Sequence, residues 1–278
     1  EFDDFFDGVR QTCQLQNLPC TTAHTEWAPG QFEINLHHVD DVLLACDQAV
    51  LLKRLIKGLA RQQGMGATFM AKPFAEHSGN GLHIHISIYD ASGNNIFADA
   101  ETAATPPVSA RMLHALGGLA VTMEQSQAIF APNANSYRRL RPGSYAPLTP
   151  NWGYNHRGVS LRIPVSDAKN LRIEHRVAGA DANPYLVVAA ILAGIHHGLV
   201  NQCDPGAPVP EGHVLREEVI TLPNEWGAAL LAYERGEVLP AYLGEQYARL
   251  FSVIRRDEFN QYQAVISNLD YEWYLRTV

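Results

Sequence analysis

The sequence predicts an α+β fold: a curved, mainly antiparallel sheet around a polar site, with helices packed outside it. Three observations predict it. Long segments of helical spacing carry their own start and stop residues. Four short segments between them alternate apolar and polar residues, the strand period of two. No Gly-x-Gly-x-x-Gly run and no P-loop run marks a nucleotide-binding parallel sheet.

The elements follow in order. Residues 2–18 set Phe2, Phe5, Phe6, Val9 and Cys13 on one side, and Pro19 with the Thr-rich stretch ends that helix. In residues 31–36, Phe32, Ile34 and Leu36 are apolar and their neighbours polar. Residues 40–63 form a long helix that Asp40 or Asp41 caps and Gly64 stops. In residues 82–88, His83, His85 and Ser87 share one face. Pro106-Pro107 precedes a helix through about Phe130, ended by Ala131-Pro132. Ser160 and Arg162 share a face in residues 160–163, as do Arg172, Glu174 and Arg176 in residues 171–177. Asn183 caps a helix with Pro184 at its first position, running to about Val200. Residues 203–213, with Pro205, Pro208, Pro210 and two glycines, read as a loop, and the last 65 residues as several helices. Antiparallel sheets often keep one face on a core and the other polar. These polar faces carry His, Glu and Arg rather than Ser, Thr and Lys, which points to a site; a solvated sheet is the alternative.

Composition bounds the function. A chain of 278 residues buries a large core without staples, as one large domain or two small ones. A net charge of −8 argues against a nucleic-acid binder. No apolar run reaches the ~18 residues of a spanning helix, so no membrane role is expected. Four cysteines without a Cys-x-x-Cys pair read as reduced thiols in the cytoplasm. No signal peptide is visible. The chain opens on Glu1 and Phe2, already helical in pattern, so an N-terminal part is expected to be missing.

Glu26, Glu33, His83 and Glu174 together suit Mg²⁺ or Mn²⁺ better than structural zinc. Arg139, Arg157, Arg162, Arg172 and Arg176, with Lys169, concentrate cations that bind phosphate and carboxylate. Metal plus several arginines equips a protein for phosphoryl transfer, where catalysis is mostly positioning and charge neutralisation. Spacing alone therefore reaches a metal-dependent enzyme acting on phosphate or carboxylate.

Several motifs go further. Lys72-Pro73-Phe74, then Ser78-Gly79-Asn80-Gly81-Leu82-His83-Ile84-His85-Ile86-Ser87, closely resembles the ATP-region signature of glutamine synthetases. Gly30-Gln31-Phe32-Glu33 precedes it. The stretches 133–140, 155–164, 172–176 and 182–185 follow in the family's order. The resemblance covers roughly residues 1–278 and implies the catalytic domain of this family, an architecture shared with guanidino kinases. It implies an ATP- and Mg (or Mn)-dependent carbon–nitrogen ligase that joins the γ-carboxyl of glutamate to ammonia or an amine through a γ-glutamyl phosphate. Carried over by motif, Glu26 and Glu33 look like ligands of the metal nearer glutamate, and His83 and Glu174 of the metal nearer ATP. Arg157, Arg162, Arg172 and Lys169 look like phosphate-binding groups, with Arg157 and Arg162 stabilising the transferring phosphoryl. His85 and Ser87 match positions beside adenosine. Gly79, Arg139 and Arg176, with His83 beside them, match glutamate-binding positions. The family also implies a large ring-shaped homo-oligomer with sites at subunit interfaces.

Three departures qualify the resemblance. The family's Glu-x-Glu metal motif and small N-terminal β-domain are not in this sequence, so each metal is expected to lack a usual ligand and the chain alone to be weak or inactive. Ser78 stands where the signature usually has Asn. Tyr145 stands where ammonia-using enzymes place a Glu, in Ser144-Tyr145-Ala146-Pro147. A phenol does not supply the carboxylate's charge at neutral pH. This loop, followed by Trp152-Gly153, resembles the γ-glutamylpolyamine and γ-glutamylamide branch. Tyr145 and Trp152 are expected to wall a pocket for a larger amine, by a cation–π contact worth roughly 0.5–2 kcal/mol. Packing of the loop is the plain alternative. An ammonia-using synthetase and a catalytically silent relative are the competing functions. His24 either orients Glu26 or packs. His37, His38, His196 and His197 are expected at the surface, His175, Trp226 and Tyr233 in the core, and Cys46 and Cys203 as inert thiols.

Overall fold

The computed structural model describes residues 2–99, 101–102, 106–212 and 221–278. Of the expected C-terminal loop and helices, residues 213–220 lie outside this description, as does Glu1 at the start.

Helix α1 (Asp3–Leu15) buries Phe5, Val9 and Cys13 against helix α2 (Val42–Gln62). Between them runs a hairpin of strands β1 (Cys20–Thr25) and β2 (Phe32–Leu36), paired antiparallel. The Asp41 carboxylate caps α2 by accepting from the Leu43 and Leu44 amides at 2.9 and 3.0 Å. Strand β3 (Ile84–Ile86) and helix α3 (Ala110–Phe130) follow; Ser109 caps the helix by accepting from the Met112 amide at 3.2 Å. Next come helix α4 (Ser136–Arg139) and strands β4 (Trp152–Tyr154), β5 (Leu161–Ile163) and β6 (Ile173–His175). Helix α5 (Pro184–Asn201) starts as its cap and proline require, with Asn183 accepting from the Tyr185 amide at 3.0 Å. Helices α6 (Trp226–Arg235), α7 (Val238–Leu243), α8 (Glu245–Gln263) and α9 (Asn268–Tyr274) close the chain.

The main sheet has the order β3-β6-β5-β4. Its β3/β6 and β6/β5 pairs are antiparallel and its β5/β4 pair is parallel, so the sheet is mainly antiparallel, as expected. Two details differ. Residues 31–36 belong to the separate hairpin rather than to the main sheet, and β4 takes the fourth place in the main sheet. The apolar face of the main sheet, including Leu161, Ile163 and Ile173, is buried in one core with α3 and α5. These two helices touch through glycine: a Cβ on Gly118 would lie 2.2 Å from the Gly194 carbonyl oxygen. α5 is long and apolar enough to cross a bilayer by length and composition, but it lies in this core against α3. A second core joins α1, α2 and the inner side of the hairpin. His175, Trp226 and Tyr233 are buried as expected.

Candidate active site

Strand parity builds the site. Across β3, β6 and β5, His85 pairs with Glu174 and Glu174 with Arg162. Arg172 and Arg176 lie two residues either side of Glu174, and His83 two residues before His85, so all six occupy one sheet face. The alternate residues, Ile84, His175 and Leu161, pair on the opposite, core-facing side.

Glu174 is the hub and its side chain is 3% exposed. Arg162 Nη1 donates to its Oε2 at 2.7 Å, and Arg176 Nη1 to its Oε1 at 2.5 Å. His83 Nδ1 lies 3.4 Å from Oε1. Burial raises the Glu174 pKa, but the Arg176 charge and the hydrogen bond from Arg162 outweigh it and hold the group below the usual carboxylate value. Burial, with Arg176 beside it, pushes His83 down to about 3. His83 is thus a neutral imidazole at pH 7, the form that ligates a metal. Burial also lowers His85, whose Nδ1 accepts from Arg172 Nε at 3.2 Å. Arg162 is turned toward the face by a second bond, from Nη2 to Asn155 Oδ1 at 2.8 Å. The Nε atoms of Arg162 and Arg176 are buried without a partner among the described residues. Arg162 and Arg176 on the Glu174 carboxylate, with Arg172 beside His85 on the same face, leave this face net positive, which suits an anionic ligand rich in oxygen.

The hairpin holds a second cluster. His24 on β1 pairs directly with Glu33 on β2. Glu26, two residues beyond His24, faces the same way. His24 Nε2 lies 3.4 Å from Glu26 Oε1 and 3.7 Å from Glu33 Oε1. One ligand atom from each of the three lies within 4.8 Å of the others, a spacing that fits one divalent cation. Two carboxylates and an imidazole suit Mg²⁺ or Mn²⁺ without selecting between them. The sequence marks His24 only as a group that orients Glu26 or packs; its cross-strand register with Glu33 is visible in the structure alone.

Gln31 joins the two clusters. Its Nε2 donates to Gly79 O at 3.0 Å and to Asn80 Oδ1 at 2.8 Å. Its Oε1 accepts from the Ala28 amide and the Ser78 hydroxyl, both at 3.1 Å. The side chain thereby fixes the 26–31 turn against the glycine-rich loop that leads to His83. Ser78, the departure from the usual Asn, takes part directly in this clasp. Gly79 leaves room for Arg139: a Cβ there would lie 2.9 Å from Arg139 Cγ. Arg139 is buried, donates to Val177 O at 2.8 Å and stands behind Gly81 and Arg176. Burial lowers its pKa to about 10, which leaves it charged at neutral pH. Ser87 is half-buried just past β3, while Arg157 and Lys169 are exposed on loops after β4 and before β6.

One expectation needs correction. Trp152 does not stand beside Tyr145. It is 4% exposed in the core, pairs in parallel register with Leu161, and its indole N–H donates to Gly206 O at 3.0 Å. Its place is taken by Trp27, whose ring stacks on Tyr145 with centroids 5.8 Å apart and planes 12° from parallel. Nothing in the Glu-Trp-Ala-Pro sequence separates this tryptophan from a packed one; only the turn that Gln31 holds brings it to Tyr145.

The glutamine synthetase catalytic-domain family model matches residues 1–274. The γ-glutamylputrescine synthetase PuuA of Escherichia coli is 45% identical over 275 residues, 99% of this chain and 57% of its own. A γ-glutamylethanolamide synthetase of Streptomyces coelicolor is 34% identical over 96% of this chain and 55% of its own. The chain spans a little over half the length of these curated relatives. Among solved structures, ligand-free GmaS superposes with a TM-score of 0.85 at 34% identity, covering 98% of this chain and 63% of that one. Motif order, sheet-face geometry and these matches converge: the chain belongs to the glutamine synthetase catalytic-domain family.

Proposed function

We propose that the chain is the catalytic domain of an ATP- and divalent-metal-dependent ligase that joins the γ-carboxyl of glutamate to an amine larger than ammonia. The observation that carries this reading is the Glu174 face, where one carboxylate meets His83, Arg162 and Arg176, with Arg172 bonded to His85 beside them. A γ-carboxylate oxygen of glutamate attacks the γ-phosphorus of ATP, and ADP leaves. The amine nitrogen then attacks the acyl carbon of γ-glutamyl phosphate, loses a proton, and inorganic phosphate leaves. Arg162, Arg172 and the exposed Arg157 and Lys169 bind the phosphates and offset charge on the transferring group. Gly79, Arg139, Arg176 and His83 receive glutamate, and His85 and Ser87 lie beside the adenosine. Glu26 and Glu33, with His24, would hold one metal and His83 with Glu174 another. Such ions neutralise phosphate charge and orient the reacting oxygens.

Tyr145, in place of a carboxylate, supports the larger acceptor, as do the relatives named for putrescine and ethanolamine. A ring-shaped homo-oligomer is part of the proposal: Val265, Ile266, Leu269, Tyr271, Trp273 and Leu275 are all exposed along one terminal segment. Four free thiols suit a reducing cytoplasm. The test is phosphate release by the full-length polypeptide with ATP, Mg²⁺ and glutamate, comparing ammonia with putrescine, ethanolamine and alkylamines. Preference for a larger amine supports the proposal. Preference for ammonia makes the protein a glutamine synthetase, and no release with any acceptor makes it a silent relative.

A further inference from the structure

Trp27 and Tyr145 are the least economical pair of side chains near the site. Trp27 is 77% exposed and Tyr145 75%, although each is large and apolar. Tyr145 also holds a left-handed backbone, φ +59°, which is uncommon for a bulky residue. A loop aromatic that served packing alone would be buried from an ordinary backbone conformation. Both rings line a cavity of about 460 Å³ that also touches Ser78 and Glu76. That cavity opens next to the clasped turn: Trp27 follows Glu26, and Ser78 precedes Gly79. The turn bearing Trp27 is held by the Glu26 amide donating to Gln31 O at 2.9 Å and by the Ala28 amide donating to Gln31 Oε1 at 3.1 Å. The tryptophan is therefore fixed at its base and open at its ring. Of the cations that line the cavity, Lys72 donates to the carbonyl of His77 in the same lining and Arg138 to the Tyr262 hydroxyl, while Arg141 and the Glu76 carboxylate line it as well.

We infer that Trp27 is a specificity-determining residue for the acceptor: stacked on Tyr145, it forms the apolar lip against which the carbon chain of a primary alkylamine lies beyond its reacting nitrogen. This rests on the ligase reading above. A ring face attracts an alkylammonium and shelters its methylenes. The benefit grows with chain length and is small for methylamine.

The test uses the full-length polypeptide, with phosphate release measured against methylamine, butylamine and putrescine. Trp27→Ala is expected to raise KM for butylamine and putrescine about tenfold, the size of a lost aromatic contact, and KM for methylamine much less. Trp27→Phe is expected to restore most of the difference. Tryptophan emission of the unmodified protein is expected to change on titration with butylamine, and Trp27→Phe to abolish that change. Equal KM changes for short and long amines, or no change, overturn the lip while leaving the ligase reading intact. A changed association state with unchanged KM also overturns it, because a second copy then covers the pair. No phosphate release by the unmodified protein with any acceptor overturns the ligase reading, and the inference falls with it.

Discussion

Replacing Gln31 by Ala is expected to loosen the hairpin from the glycine-rich loop without unfolding the rest. The substitution deletes four hydrogen bonds of 2.8–3.1 Å, two of them to the 78–80 loop through Nε2 and one through Oε1. At roughly 0.5–1.5 kcal/mol net each, partly recovered by water at this half-buried position, the loss comes to ~2 kcal/mol. That is about a 30-fold rise in local opening, since ~1.4 kcal/mol is a factor of ten. Amide hydrogen exchange followed by mass spectrometry reads it directly. Peptides spanning residues 26–33 are expected to lose protection by that factor while peptides from α3 and α5 keep theirs. Gln31→Glu is expected to fare no better, because it keeps the accepting oxygen but sets a carboxylate against Gly79 O and Asn80 Oδ1. Unchanged protection in residues 26–33 with either variant would refute the clasp, as would an equal loss across the whole chain.

Other substitutions probe separate parts of the molecule. Glu174→Ala leaves Arg162 and Arg176 buried without their counter-ion, since their side chains are only 16% and 12% exposed. Urea denaturation is expected to show a loss of about 3–5 kcal/mol, and a loss below 1 would deny the hub its weight. His24→Ala is expected to weaken Mn²⁺ binding about 10–100-fold by electron paramagnetic resonance titration, the range for a metal-orienting or ligating group; unaltered affinity would return His24 to a packing role. Gly118→Ala drives a methyl to 2.2 Å from the Gly194 carbonyl and is expected to cost at least ~1–3 kcal/mol. Asp41→Ala removes the α2 cap and is expected to cost ~1 kcal/mol, read from the thermal midpoint.

The helices were legible because their ends are chemical. Asp41 and Asn183 cap where the sequence places caps, and Pro184 sits where its missing N–H costs nothing. The strand faces were legible because parity is unambiguous: Glu174 inward to the site and His175 inward to the core follow from being neighbours. Strand lengths were not. Residues 82–88 alternate throughout, yet the ladder proper covers only Ile84–Ile86, and pairing past its start continues as the Leu82 amide to Ala178 O and a bridge between Gly81 and Gly179. β1 was missed because five of its six residues are exposed and carry no apolar alternation. β4 is three residues long, too short for any period to show. For Trp152 the sequence gives the residue type after a loop but not the strand that begins there and turns it inward. The bonds of the Gln31 clasp to the 78–80 loop and the Trp27–Tyr145 stack join residues 47 and more positions apart, a distance that no local pattern spans.

Isotope transfer tests the acyl-phosphate chemistry most directly. Glutamate labelled with ¹⁸O in its γ-carboxyl would be incubated with ATP, Mg²⁺, butylamine and the full-length polypeptide, and the released phosphate examined by mass spectrometry. Formation of γ-glutamyl phosphate followed by attack of the amine carries one ¹⁸O from each labelled carboxyl into the phosphate. Released phosphate that holds no ¹⁸O, with ATP consumed all the same, would mean that water rather than glutamate takes the phosphoryl group, and would contradict the ligase chemistry assigned to the Glu174 face.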